Sequence, residues 1–105
     1  NMTKLWLDDE RPSPEGWVHA LTVEDAKDLI LREDVDELSV DNDLGEDEEE
    51  GYNLLNWIEE MTVFNKDFIP PKDIWVHSMN SSRIQPMIQT IAAITAIKKW
   101  VGQRK

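Results

Sequence analysis

Lys4-Leu5-Trp6-Leu7-Asp8-Asp9-Glu10-Arg11-Pro12-Ser13-Pro14-Glu15-Gly16-Trp17-Val18-His19-Ala20 is the stretch that decides the fold. Its first four residues read as a bulky, apolar β-strand closed by two Asp, and its last four read as a second strand opened by Gly16. Working outward, Leu38-Ser39-Val40 and Ile74-Trp75-Val76-His77 supply two more short strands. Segments of helical period lie between and after them. Thr22 is the expected N-cap of a first helix with Val23, Ala26, Leu29 and Ile30 on one face. A second helix is expected over residues 52–61, burying Leu54, Leu55, Ile58 and Met61. The third carries Ile84, Met87, Ile88, Ile91, Ile94, Ile97 and Val101, with Ser82 and Gln85 as a capping box. Strands alternating with helices predict a parallel α/β sheet. The quoted stretch is the exception. Between Leu7 and Trp17 lie nine residues, two of them Pro, too few for the usual crossover helix. Either that connection is extended or residues 17–20 form an antiparallel edge.

The 105 residues are one domain's worth, and a single domain over 2–105 is expected, with Met2 as the initiator. Eleven Lys and Arg stand against 22 Asp and Glu, a net charge of −11 that repels phosphate backbones. Direct binding to a nucleic-acid duplex is therefore not expected, whereas a basic protein partner is permitted. The charge is polarised: residues 1–51 hold 18 acidic and 4 basic side chains, and residues 75–105 hold 5 basic and no acidic ones. With no Cys, disulfides, thiolate metal sites and cysteine nucleophiles are excluded. No apolar run approaches the ~20 residues of a membrane span, and the N-terminus shows no signal sequence. No membrane contact and a cytoplasmic location are expected.

Chemistry is expected where the strands end. Asp8 and Asp9 follow the first strand, Asp41 and Asp43 the third, and His77 and Ser78 the fourth. In an open parallel sheet all of these fall at the carboxyl edge, where ligands bind. Any one such Asp is an ordinary turn former or helix cap. Several converging carboxylates repel one another unless a cation sits between them, and oxygen-only ligands with retained water suit Mg²⁺ or Mn²⁺. His77 is either a hydrogen-bonded core residue or a proton donor. A Ser-His-Asp triad is disfavoured, because adjacent strand residues point to opposite faces. The run Glu46-Asp47-Glu48-Glu49-Glu50 reads as a solvated loop, or as a cover that restricts the site to small ligands.

The order of these blocks resembles the receiver domains of response regulators. More closely, Leu7-Asp8-Asp9-Glu10-Arg11-Pro12-Ser13-Pro14, Gly16-Trp17, Asp41-Asn42-Asp43-Leu44-Gly45, Gly51-Tyr52, Trp57-Ile58 and His77-Ser78-Met79-Asn80 resemble the cyclic-phosphate-processing receiver domains of bacteria and phages. That resemblance implies a reduced, flavodoxin-like three-layer α/β sandwich of about four mostly parallel strands and three helices. It implies metal ligation by Asp8, Asp9, Asp41 and Asp43, with Asp41 also at the phosphoryl-acceptor position and Ser78 sensing the phosphoryl oxygen. Arg11 and Asn80 are the candidates to bind a small phosphorylated ligand, and catalysis falls to Asp41, His77 and Ser78. The implied activity is a divalent-metal-dependent phosphoesterase acting on a cyclic or terminal phosphate. The alternatives are a receiver-like sensor without turnover and an acidic phage interaction protein. Three departures from receivers stand out. No fifth strand with its Lys follows the third helix, leaving Arg11 or Arg83 as the substitute cation. The helix after the first strand is missing, and Asn42 stands where relatives often carry His.

Overall fold

Alternation builds the sheet. The computed structural model describes residues 2–45, 49–77 and 82–103, so Ser78, Asn80 and the acidic residues 46–48 lie outside the described residues. In β1 (Thr3–Leu7), Leu5 and Leu7 are fully buried on one face while Trp6 points to the other. β3 (Val35–Val40) buries Leu38 and Val40 beside them, in the register Leu5 to Leu38 and Leu7 to Val40. β4 (Asp73–Val76) extends the row with Ile74 and Val76, and β2 (Val18–Ala20) closes the opposite edge with Ala20 against Leu7. All three pairings are parallel, in the order β2-β1-β3-β4. The question left by the short first connection is thus answered. β2 is a parallel edge, reached by an extended segment that turns through a Trp17 N–H bond to the Pro14 carbonyl at 3.2 Å and through Gly16 at φ 88°.

Each helix starts for a local reason. Thr22 Oγ1 accepts from the Asp25 N–H at 3.1 Å and caps α1 (Val23–Arg32), as expected. α2 (Gly51–Phe64) begins where only glycine fits, since a Cβ on residue 51 would overlap the Asp41 carbonyl oxygen and crowd Val40. The helix can therefore press directly on the end of β3. It also runs three residues beyond the expected Met61, and Thr62, its hydroxyl bonded to the Ile58 carbonyl at 2.7 Å, is buried where Met61 is only partly so. α3 (Ile84–Gln103) starts from a Met87 N–H bond to the Arg83 carbonyl at 2.8 Å. The expected Ser82–Gln85 capping box does not form, and both residues are exposed. Its inward face is Met87, Thr90 and Ile94, whereas Ile88 is 49% exposed.

The number of layers differs from the expectation. α1 packs on α2 and α2 on α3, and all three share one core with Leu5, Leu7, Leu38 and Val40. Among the described residues the opposite sheet face, bearing Lys4, Trp6, Glu37, Ser39 and Trp75, has no helix against it, so the arrangement has two layers and not three. The cause is the pair of departures seen in the sequence. The segment after β1 is too short for a helix, and among the described residues no strand or further helix follows α3 to cover that side. The four parallel strands, three helices and receiver-like α/β character are as expected. None of the described helices is long and apolar enough to cross a membrane.

Candidate functional site

The strand order reverses between β1 and β3, which makes the carboxyl ends of these two strands the switch point of the sheet. Asp8 and Asp41 stand there, with His77 one strand further. Each is held by one more rung of the ladder. The Asp8 N–H bonds to the Ala20 carbonyl at 3.1 Å, that of Asp41 to Leu7 at 2.9 Å and that of His77 to Val40 at 3.0 Å. Period-two alternation selects them. Asp8 follows Trp6, Asp41 follows Ser39 and His77 follows Trp75, all on the face turned away from the helices. One ligand atom from each lies within 4.8 Å of the others.

Asp8 is fully buried and its carboxylate is fully engaged. Oδ1 accepts the backbone N–H groups of Glu10 at 2.8 Å and Arg11 at 2.9 Å. Oδ2 lies 3.0 Å from His77 Nε2 and 3.6 Å from Arg11 Nη1. Burial alone would raise the Asp8 carboxyl, but the two backbone N–H groups and the His77 ring outweigh it and hold the group below the ordinary carboxylate value. Burial pushes His77 below the ordinary imidazole value, and the opposing pull of the Asp8 and Asp41 carboxylates is the smaller effect. The pair therefore rests as an ionised carboxylate beside a neutral imidazole. A carboxylate only accepts, so Nε2 carries the proton, and Nδ1 accepts from the Ser39 hydroxyl at 2.7 Å. Trp6 stacks flat on the imidazole, with ring centroids 3.8 Å apart and planes within 7°, and Trp17 packs edge-on against Trp6 at 5.9 Å.

Asp41 is the counterpart of this satisfied group. It is only 7% exposed, and among the described residues no group donates to its carboxylate. Of the other expected ligands, Asp9 is half-buried and lies outside the Asp8–Asp41–His77 group. Asp43 is exposed, its Oδ1 turned back to the Gly45 N–H at 3.2 Å. Arg11 is at the site, since its exposed guanidinium also donates to the His77 carbonyl at 3.3 Å. Arg83 is engaged elsewhere, 3.4 Å from Glu50 and over the Tyr52 ring. Asn42 has a structural task. Its Oδ1 accepts the Tyr52 N–H at 3.0 Å, its carbonyl accepts the Gly51 N–H at 3.0 Å, and its Nδ2 donates to Glu50 at 2.9 Å. It ties the end of β3 to the start of α2.

Three contributors were not singled out in the sequence. Ser39 and Trp6 both hold His77, and they lie opposite each other in the β1–β3 register, on the sheet face turned away from the helices. His19 donates from Nε2 to the Asp8 carbonyl at 2.6 Å and so braces the end of β1. A Ser between Leu38 and Val40, on the strand that pairs with the one running into His77, was the signal available for the first.

Comparison with known families bears on this geometry. The model of a family described as the cyclic-phosphate processing receiver domain matches residues 3–93, most of the chain and all of the strand ends just described. No curated protein and no solved structure matches the chain significantly.

Proposed function

The chain belongs to the cyclic-phosphate processing receiver domain family, and from that premise we propose that its carboxyl edge is a divalent-cation-dependent phosphoesterase site for a small ligand carrying a cyclic or terminal phosphate. The observation that carries this reading is the Asp41 carboxylate, on a residue only 7% exposed, with no donor among the described residues and beside a second, fully buried Asp. An anion in that setting calls for a cationic partner. Asp8 and Asp41 are the residues that would hold it, and two carboxylates are a donor set that Mg²⁺ or Mn²⁺ accepts. When bound, such a cation screens both carboxylates and withdraws charge from phosphoryl oxygens.

The chain's own residues supply the rest. Arg11, exposed and next to Asp8, is placed to receive phosphoryl oxygens as a fork of two donors, the task given in receivers to a Lys that has no counterpart among the described residues. Asp8 is fixed by three donors and stays ionised. Asp41 orients water for attack on phosphorus, and with no Lys beside it among the described residues to stabilise an acyl phosphate it is not a durable phosphoryl acceptor. Ser78 and Asn80 are proposed to complete the cradle.

A panel of 2′,3′- and 3′,5′-cyclic nucleotides and phosphate monoesters, each with Mg²⁺ or Mn²⁺, tests the reading. Hydrolysis of at least one, lost in Asp41→Asn, is expected. A stable phosphorylated form after treatment with acetyl phosphate, with no phosphoester turned over, would instead leave a receiver-like switch.

A further inference from the structure

Resting on the cation site proposed above, we propose that His77 is its third ligand, through Nε2, and that the site therefore prefers cations that accept imidazole nitrogen, such as Mn²⁺, Co²⁺ or Zn²⁺, to Mg²⁺. Four observations converge on this.

The first is spacing. Two ligand bonds of about 2.1 Å meeting at a right angle hold their donor atoms about 3.0 Å apart, and Asp8 Oδ2 and His77 Nε2 are 3.0 Å apart. The same separation serves a hydrogen bond in the metal-free protein and an edge of a coordination shell in the loaded one. A cation at that corner lies about 45° off the N–H···O line, so the Asp8 carboxylate has to turn off the Nε2 axis to admit it.

The second is that a role as proton donor is poorly served. Both ring nitrogens are engaged, Nε2 with Asp8 and Nδ1 with Ser39, so no N–H is directed at a substrate. The third is the partner on the far side of the ring. Metal-bound imidazoles commonly donate their other N–H to an acceptor that fixes the tautomer, and Ser39 is 4% exposed and 2.7 Å from Nδ1. A hydroxyl both donates and accepts, so it suits either tautomer. When a cation takes Nε2, the ring proton resides on Nδ1 and is donated to Ser39 Oγ, whose own hydrogen turns away. The imidazole stays neutral and no net proton is lost. Trp6, stacked on the ring, keeps its plane fixed through the exchange. Ser39 and Trp6 are positioning residues. The fourth observation is Asp41, 7% exposed, whose carboxylate has no donor among the described residues and completes the group within 4.8 Å.

Nitrogen ligation changes selectivity because Mg²⁺ favours oxygen donors while imidazole suits the later first-row metals. Those metals bind most sites more tightly than Mg²⁺, so the diagnostic quantity is the change in the Co²⁺-to-Mg²⁺ affinity ratio on removing the imidazole.

The test uses the full chain stripped with a chelator and titrated calorimetrically with MgCl₂ and with CoCl₂. His77→Gln should lower Co²⁺ affinity at least tenfold and leave Mg²⁺ affinity within about twofold. Ser39→Ala should cost Co²⁺ about tenfold, and Ser39→Thr, which keeps the hydroxyl, should restore it. In the unmodified chain, the ¹⁵N shifts of His77 should report a proton moving from Nε2 to Nδ1 on addition of Zn²⁺, a readout that does not depend on any variant folding. An unchanged ratio in His77→Gln, or Zn²⁺ binding with Nε2 still protonated, overturns the assignment while the carboxylate site stands. Failure of the unmodified chain to bind any of these cations overturns that site as well.

Discussion

Replacing Asp8 by Ala and by Asn separates what this residue does for the fold from what it does at the site. In Asp8→Ala two backbone N–H groups, of Glu10 and Arg11, lose an acceptor at 2.8 and 2.9 Å, and His77 loses a charged partner at 3.0 Å. A buried donor left without a partner costs about 1 to 3 kcal/mol. Because Glu10 and Arg11 are exposed and water can replace part of the loss, the three together come to about 3 kcal/mol. For a chain of this length that lowers the melting temperature by roughly 10 to 20 °C. Asp8→Asn keeps Oδ1 for both N–H groups and turns an amide NH₂ toward His77, which then accepts at Nε2 and donates from Nδ1 to Ser39. Its cost should be about 1 kcal/mol, that of exchanging a charge-assisted bond for a neutral one. Urea denaturation of both variants without metal measures the difference, and ¹⁵N shifts of His77 report the tautomer. Equal destabilisation by Asn and Ala, or a His77 tautomer unchanged in Asp8→Asn, would refute the hydrogen-bond assignment.

Four further outcomes are expected. Metal-free stability should decline as the pH falls from neutral: His77 titrates below its ordinary 6.5 in the folded chain, so the unfolded chain binds the proton first, and this contribution is complete above 6.5 and lost as the pH falls through the lower folded value. His77→Gln should remove that part of a urea-midpoint profile and leave the part below 3.8 that comes from Asp8, which is also shifted downward. Trp6→Phe should cost no more than about 1 kcal/mol, because the buried indole N–H it removes has no acceptor, whereas Trp6→Ala should cost about 3 to 5 kcal/mol in denaturant titrations. Gly51→Ala should lose about 1 to 3 kcal/mol by overpacking against Asp41 and Val40, and the displaced Asp41 should also weaken Co²⁺ binding. In mobility-shift assays at ordinary salt the intact chain should not retard duplex DNA, and a shift that vanishes on removal of residues 98–105 would show the basic C-terminus to be the cause.

Element types were legible because each strand and helix obeys its own period. Leu5, Leu7, Leu38 and Val40 alternate as one face of a sheet must, and Val23, Ala26 and Ile30 recur as one face of a helix must. The layer count was not legible in the same way, because it depends on which face each crossover takes. The capping box at α3 was misplaced because Pro86 fits the first turn of a helix that starts at Ile84 as well as one that starts earlier. At the site, the strand-end positions of Asp8, Asp41 and His77 were visible. Their separation from Asp9 and Asp43 was also latent in the alternation, since only residues in phase with Trp6, Ser39 and Trp75 continue onto the open face. The partnership of Ser39 with His77 needed the β3–β4 register, which no local pattern supplies.

The two-layer arrangement gives the site a particular environment. Leu5, Leu7, Leu38 and Val40 turn toward the helices and carry the hydrophobic core. The residues in opposite phase are thereby released from packing the core, and they are the ones that form the site: Trp6 as a flat support, Ser39 as a buried hydroxyl, and Asp8, Asp41 and His77 as the polar rim above them. In a three-layer sandwich a helix would lie on Trp6 and Trp75, and the side chains beneath it would be apolar. Here the stacked Trp6–His77 pair and the edge-on Trp17 take over the local covering, and Trp75 remains 53% exposed.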